Sequence, residues 1–167
     1  QEMMLNKTKN FYSIAPMMGR TDAFFCYFMS LISKETLVYS EMLHSELINR
    51  TKILDSYDII KDKSNIIIQV AGTEPNSLSK ASRAIEQRGF KEVNINCGCP
   101  SPRVQSGKFG IILLTKPKIV RNCIAEIKKK TNLKISIKTR IGIEKHDNNL
   151  LDIFLNSLFK EGVDKFI

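Results

Sequence analysis

Hydrophobic and polar positions change their period several times along the chain. Val93 and Ile95 alternate with Asn94 and Asn96, the two-residue period of a strand, and predict one over 92–96. Ile66, Ile67, Ile68 and Val70 make a continuous β-branched run, as expected of a parallel strand buried on both faces. Gln69 is the one polar member of that run. Shorter runs predict strands over 11–15, 36–39, 133–139 and 163–167. Between them the period lengthens to that of helices. Asp22 can cap the amphipathic stretch from Phe24 to Ile32. Further helices are predicted over 41–49, from Asn76 or Ser77 to near Gly89, from Pro117 onward, and over 150–159, closed by Gly162. Ile119, Cys123, Ile124 and Ile127 give the helix after Pro117 its apolar face. The polar stretch 51–64 reads as a connecting loop.

The alternation reads as (βα)₅β. Five βα units and the start of a sixth strand match the N-terminal part of a TIM (β/α)₈ barrel, whose closure takes eight units and roughly 250 residues. On this reading 1–10 is an N-terminal extension and 11–167 a portion of the barrel. A doubly wound open sheet is the alternative, because five strands could complete it. Against it, Ala15-Pro16-Met17-Met18-Gly19 stands where a Gly-x-Gly-x-x-Gly turn would be. The chain begins with Gln1, so the expectation is a piece of something longer.

Composition narrows the class. The 167 residues are 43% hydrophobic and 26% charged, the balance of a globular domain with a core. No apolar run is long enough to cross a bilayer, and no signal-peptide pattern opens the chain. Cys26, Cys97, Cys99 and Cys123 are irregularly spaced, which fits a reducing compartment, cytoplasm first, better than a disulfide framework. The net charge of +9 favours a polyanionic partner. Lys, Ile and Asn are abundant throughout, however, so charge alone does not name the partner. Lys128-Lys129-Lys130 falls where cations suit a helix end.

Candidate chemistry gathers after the fourth strand. Gly98 and Pro100 stop it, leaving Asn96 and the thiol of Cys99 just beyond its C-terminal end. In parallel α/β folds ligands bind at that edge. Cys99 is thus an active-site thiol or else a small buried hydrophobe. Cys97, Cys26 and Cys123 read as structural. A metal site is not expected: Cys97-x-Cys99 lacks a second ligand pair, and His44 and His146 are near no other cysteine pair.

Asn94 to Pro100, as Asn-x-Asn-x-Gly-Cys-Pro, resembles the signature of the tRNA-dihydrouridine synthase family. Four more segments resemble it in order: Ala15-Pro16-Met17-Met18 with Arg20-Thr21-Asp22, Ser40-Glu41-Met42, Ile68-Gln69-Val70-Ala71-Gly72, and Lys138-Thr139-Arg140-Ile141-Gly142. The likeness runs from about Ser13 to Ile167 and is greatest to the subgroup that includes bacterial DusA.

The resemblance implies a flavin-binding TIM barrel that reduces the C5=C6 bond of uridine in tRNA, with FMN as hydride donor and NADPH as electron source. It implies Cys99 as general acid. Ala15, Pro16 and Met17 correspond to the segment along the isoalloxazine ring. Gln69 would pair with the flavin pyrimidine edge, unless backbone satisfies its amide. Lys138 would stand near flavin N1 and O2. Asn96 and Arg140 correspond to positions around the substrate base, although Arg140 could instead pair with Glu41 or another carboxylate. Arg103 is a candidate phosphate contact. The stretch 105–110 resembles the family's flexible loop, but Gly110-Ile111-Ile112-Leu113 departs from the small Ala-Cys pair common there, so altered packing is expected. The family's phosphate-side flavin ligands and helical RNA-binding domain correspond to sequence beyond Ile167. This stretch alone is therefore expected to bind FMN weakly and to leave tRNA unmodified. Two rival readings are an FMN barrel acting on free pyrimidines, of the dihydroorotate or dihydropyrimidine dehydrogenase kind, and a catalytically idle RNA-binding remnant. No membrane or protein partner is implied.

Overall fold

The computed structural model describes residues 12–143 and 149–167. Six strands alternate with helices: β1 (Ser13–Ile14), α1 (Ala23–Ile32), β2 (Leu37–His44), α2 (Ser45–Arg50), β3 (Ile66–Ala71), α3 (Pro75–Gln87), β4 (Glu92–Asn96), α4 (Pro102–Ser106), α5 (Pro117–Lys130), β5 (Lys134–Lys138), α6 (Leu150–Phe159) and β6 (Lys165–Phe166). All neighbouring strands pair in parallel, and their order in space is their order in sequence, β1-β2-β3-β4-β5-β6. A doubly wound sheet must reverse its order at a switch point to cover both faces with helices. This sheet has no reversal, so right-handed crossovers leave every helix on one side. The open-sheet alternative is thereby excluded.

Side-chain alternation divides the two faces. Ile66, Ile68, Val70, Val93, Ile95, Ile135 and Ile137 point to the helices and join Leu78, Ala81, Ile85, Ile124, Ile127, Phe154 and Leu158 in one core. Burying each large aliphatic or aromatic side chain there contributes about 1.5–3 kcal/mol. The opposite parity carries Gln69, Asn94, Asn96 and Ser136, all buried, and Lys138. A buried polar row can persist only where its members satisfy one another. The inner face of a barrel is such a place.

The sheet is curled. Lys165 on β6 lies 5.5 Å from the Tyr39 ring centroid on β2 and 2.9 Å from Glu92 on β4. Four strand spacings of a flat sheet would separate β2 from β6 by roughly 19 Å. Only a sheet closing on itself brings them together, so the fold is the wall of a partial TIM barrel. Burial works against charge on Lys165, but the Tyr39 hydroxyl and Glu92 outweigh it and hold its pKa above the ordinary value.

Several element boundaries differ from the sequence expectation. The helix expected over 41–49 is strand through His44, and α2 begins at Ser45. The register explains it: Tyr39 faces Ile67 while Met42 faces Gln69, so β2 carries one extra residue between them. The Glu41 N–H leaves the ladder and donates to Thr21 O at 2.8 Å. The Gln69 N–H donates to Ser40 Oγ at 2.9 Å. This bulge breaks the alternation by which the strand could be recognised. The expected loop 51–64 contains a 3₁₀ helix, Ile53–Ile59, whose Leu54 and Tyr57 eclipse at three-residue spacing and bury together. Helix α3 begins at Pro75, because the Glu74 carboxylate accepts the Asn76 and Ser77 N–H groups. Asp22 caps α1 as expected, accepting from Phe25 N. β1 is shorter than expected, and Phe11, the extension 1–10 and His146 lie outside the described residues.

Candidate active site

β4 ends in a turn built by close approach. A Cβ on Gly98 would lie 3.0 Å from the Thr139 carbonyl carbon and 3.1 Å from its oxygen, so only glycine lets this turn rest on the end of β5. Cys97 N donates to Lys138 O at 2.8 Å, which continues the β4–β5 pairing one residue further. Cys97 then points into the helix-side core, and burial pushes its thiol well above the ordinary range. Cys99, two residues on, is half-buried on the opposite side. The two thiols therefore cannot serve one metal ion. Burial also holds Cys26 and Cys123 up at about 12, Cys26 with help from Asp22 and Glu41 and Cys123 from Glu74.

A cavity of about 450 Å³ opens where β1 to β5 end, within the usual size of a ligand pocket. Pro16 and Met18, after β1, and Met42 of β2 give it an apolar wall. Gln69 comes from β3, Asn96, Gly98, Cys99 and Pro100 from β4 and its turn, and Lys138, Thr139 and Arg140 from the end of β5. Among the described residues the wall holds two cations and no carboxylate.

Hydrogen bonds fix the polar members. Asn96 Oδ1 accepts from Cys99 N at 3.0 Å, and Asn96 Nδ2 donates to Gln69 Oε1 at 2.9 Å. Gln69 Nε2 donates to Asn94 Oδ1 at 2.7 Å. The Gln69 amide is thus held by side chains rather than by backbone. The Cys99 thiol donates to Ser101 Oγ at 3.6 Å, so the proton is directed and the sulfur stays at the cavity wall. Arg140 Nε donates to Gly98 O at 2.8 Å, and among the described residues no carboxylate pairs with Arg140, Glu41 included. Glu41 instead accepts the Gly19 N–H at 2.7 Å and pins the turn after β1.

The fold therefore brings together Pro16, Gln69, Asn96, Cys99, Lys138 and Arg140. Ala15, Met17 and Arg103 are exposed and outside the wall. Met17 shapes the turn instead: its carbonyl accepts the Arg20 and Thr21 N–H groups, each at 3.0 Å, while Met18 faces the cavity. Met18, Met42, Pro100 and Thr139 were not anticipated. All four lie in the matched segments, which was their signal; for Met42 the bulge hid which face of the strand it takes.

Of the loop expected at 105–110, Gln105 and Ser106 close α4, 107–109 form the turn, and Gly110 opens a 3₁₀ helix, Gly110–Thr115. Lys108 N donates to Gln105 O and Phe109 N to Val104 O, the Schellman pattern, with Lys108 at φ 61° in the left-handed position usual for glycine. Where the small Ala-Cys pair would follow Gly110, Ile111 is buried and Ile112 is half-buried, so only the first of the two departures joins the core.

Fold and cavity define a class: a parallel βα-barrel wall with a ligand site at the C-terminal ends of its strands. Residues 13–167 match the model of the family described as Dihydrouridine synthase (Dus), and the chain belongs to that family. It is 36% identical over 151 residues to the tRNA-dihydrouridine(20/20a) synthase of Vibrio parahaemolyticus serotype O3:K6, covering 90% of this chain and 46% of that protein. With the tRNA-dihydrouridine(20/20a) synthase of Shewanella oneidensis it shares 34% over 167 residues, 98% of this chain and 50% of the relative. The protein of the same name from Escherichia coli K12 is 34% identical over 152 residues, 90% and 44% of the two chains. The chain thus spans about half the length of the curated relatives it matches.

Proposed function

We propose that this chain supplies the ring-side half of the active site of a tRNA-dihydrouridine synthase, which reduces the C5=C6 bond of uridine in tRNA. The convergence of Cys99, the Asn96–Gln69 amide pair and Lys138 on one cavity carries the reading. The cavity's residues fit FMN. Pro16, Met18 and Met42 offer an apolar surface for a flat ring, Gln69 a donor and an acceptor for its pyrimidine edge, and Lys138 a cation for the charge of the reduced ring. Bound FMN, reduced by NADPH, supplies the hydride that enters at uridine C6.

The protein's own part is the proton. Cys99 gives its thiol proton to C5 as the hydride adds at C6, and the thiolate is reprotonated before the next turnover. Asn96 and Arg140 hold the base and its surroundings, and Arg103, on the exposed face of α4, contacts phosphate. The net charge of +9 supports a polyanionic substrate.

The test is disruption of the gene followed by measurement of dihydrouridine in total tRNA. Loss of the modified base, restored by the wild-type gene and not by Cys99→Ala, is the expected outcome. Unchanged tRNA would sink the proposal and favour a barrel acting on free pyrimidines or an idle RNA-binding remnant.

A further inference from the structure

The polar row beneath the cavity has a direction, and the backbone sets it. The N–H groups of Gly98 and Cys99 can only donate, and both meet Asn96 Oδ1, at 3.3 and 3.0 Å. Asn96 must then turn its NH₂ toward β3, where Gln69 Oε1 accepts at 2.9 Å. Gln69 consequently presents Nε2 to Asn94 Oδ1 at 2.7 Å, and Asn94 Nδ2 reaches Ser136 Oγ at 2.9 Å. Strand register holds these residues side by side, Gln69 opposite Asn94 and Asn94 opposite Ser136. Gln69 is 1% exposed and Asn94 and Ser136 are 0%, so bulk water offers no alternative partners. Turning any one amide over would set oxygen against oxygen or NH₂ against NH₂ in a buried place, which is costly.

Asn94 and Ser136 are not part of the cavity wall. We propose that they are positioning residues for the cofactor: with Asn96, Asn94 locks the Gln69 carboxamide in one of its two orientations, and Ser136, whose hydroxyl takes the Asn94 NH₂, holds Asn94 in place. A carboxamide has two N–H groups and two lone pairs. The relay uses one of each on Gln69, leaving one N–H and one lone pair at fixed places for the flavin N3–H and its flanking carbonyl oxygens. This inference rests on the flavin reading given above, and it ties recognition of the pyrimidine edge to the backbone that carries the Cys99 thiol.

The test uses the full-length protein, titrated with FMN and with 3-methyl-FMN, which lacks the N3–H, by quenching of flavin fluorescence. Wild type should prefer FMN by about tenfold or more, the size of one unmade buried hydrogen bond. Gln69→Leu should abolish the preference. Asn94→Leu and Ser136→Ala should each shrink it at least about threefold by the same argument. Asn94→Asp, which keeps an oxygen facing Gln69 Nε2, should restore it. A role in packing alone would weaken both ligands equally and leave the ratio unchanged. If Asn94→Leu fails to fold, Ser136→Ala carries the comparison, and a wild-type ratio in that variant overturns the inference. A preference lost in Gln69→Leu but intact in both relay variants overturns the inference and spares the flavin reading. Absence of FMN binding by wild type overturns both.

Discussion

The carbonyl oxygen of Cys99 accepts the N–H of Ile111 at 3.0 Å, tying the thiol-bearing turn to the 3₁₀ helix that follows it. Between them Gly110, at φ 70°, lies so close that a Cβ would stand 2.5 Å from that oxygen and 2.3 Å from Val104 Cγ1. Gly110→Ala should therefore push the turn out of place. The cost should be about 1–3 kcal/mol in denaturant unfolding, the usual penalty of overpacking. Turnover should fall with it, and unchanged stability would mean that the contact relaxes freely.

On the proposed reading, Cys99→Ala in the full-length protein should leave flavin content and NADPH oxidation near wild type while slowing tRNA reduction about 10²–10⁴-fold, the usual worth of a general acid. Single-turnover reduction of unmodified tRNA gives the number directly. A normal rate would reassign the proton to another group and leave Cys99 structural.

Thiol labelling should separate the four cysteines. Cys99 is the half-buried one; Cys26, Cys97 and Cys123 are at most 2% exposed. One thiol should react rapidly with a maleimide in the native protein, and Cys99→Ala should remove that phase. Burial also makes the fold sensitive to alkali. Cys26 rises from 9.0 to about 12, so the native chain keeps a proton that the unfolded chain loses. Stability is full below pH 9 and declines as pH rises toward 12. Unfolding midpoints at pH 8 and pH 10 should differ in that direction.

Lys108 occupies a left-handed backbone position that glycine takes without steric cost. Lys108→Gly should stabilise the protein by up to about 1 kcal/mol, with Lys108→Ala as the control that keeps the strain. A loss of stability would show that the ammonium makes a contact worth more than the strain it bears.

The 167-residue chain expressed alone should self-associate. β1 and β6 each pair on one side only among the described strands, and open edges of parallel strands recruit other chains. Phe24, Phe28, Leu31 and Ile32 also form an exposed apolar stripe on α1. Light scattering should detect oligomers, and Phe28→Lys with Leu31→Lys should reduce them. A monodisperse, cooperatively melting wild-type chain would count against this expectation.

Much of this architecture was legible in the sequence, for identifiable reasons. β4 was found with its observed ends because Val93 and Ile95 alternate cleanly with Asn94 and Asn96, and Gly98 and Pro100 stop it. The same alternation put Asn94 on the face of Asn96, although its partners Gln69 and Ser136 come from other strands and depend on register. The β2 bulge was not legible, since an extra residue in a strand imitates its end. Nor was the choice of Met18 over Met17 for the cavity, because the turn at 17–21 is set by Thr21 and Glu41. Local patterns reveal elements; contacts between distant segments decide which side chains meet.

The extra residue in β2 has a chemical consequence. With an uninterrupted register Glu41 would stand opposite Gln69, where Met42 stands now, and Met42 would turn to the helices. A carboxylate would then enter a cavity whose charged wall residues are Lys138 and Arg140. It would neutralise part of their field and repel any anion or electron-rich ring seated there. One inserted backbone unit thus acts as a charge filter, sending the acid outward to the Gly19 turn and a thioether inward. A single-residue deletion between Tyr39 and Met42 would alter the electrostatic character of the cavity more than many substitutions in its wall.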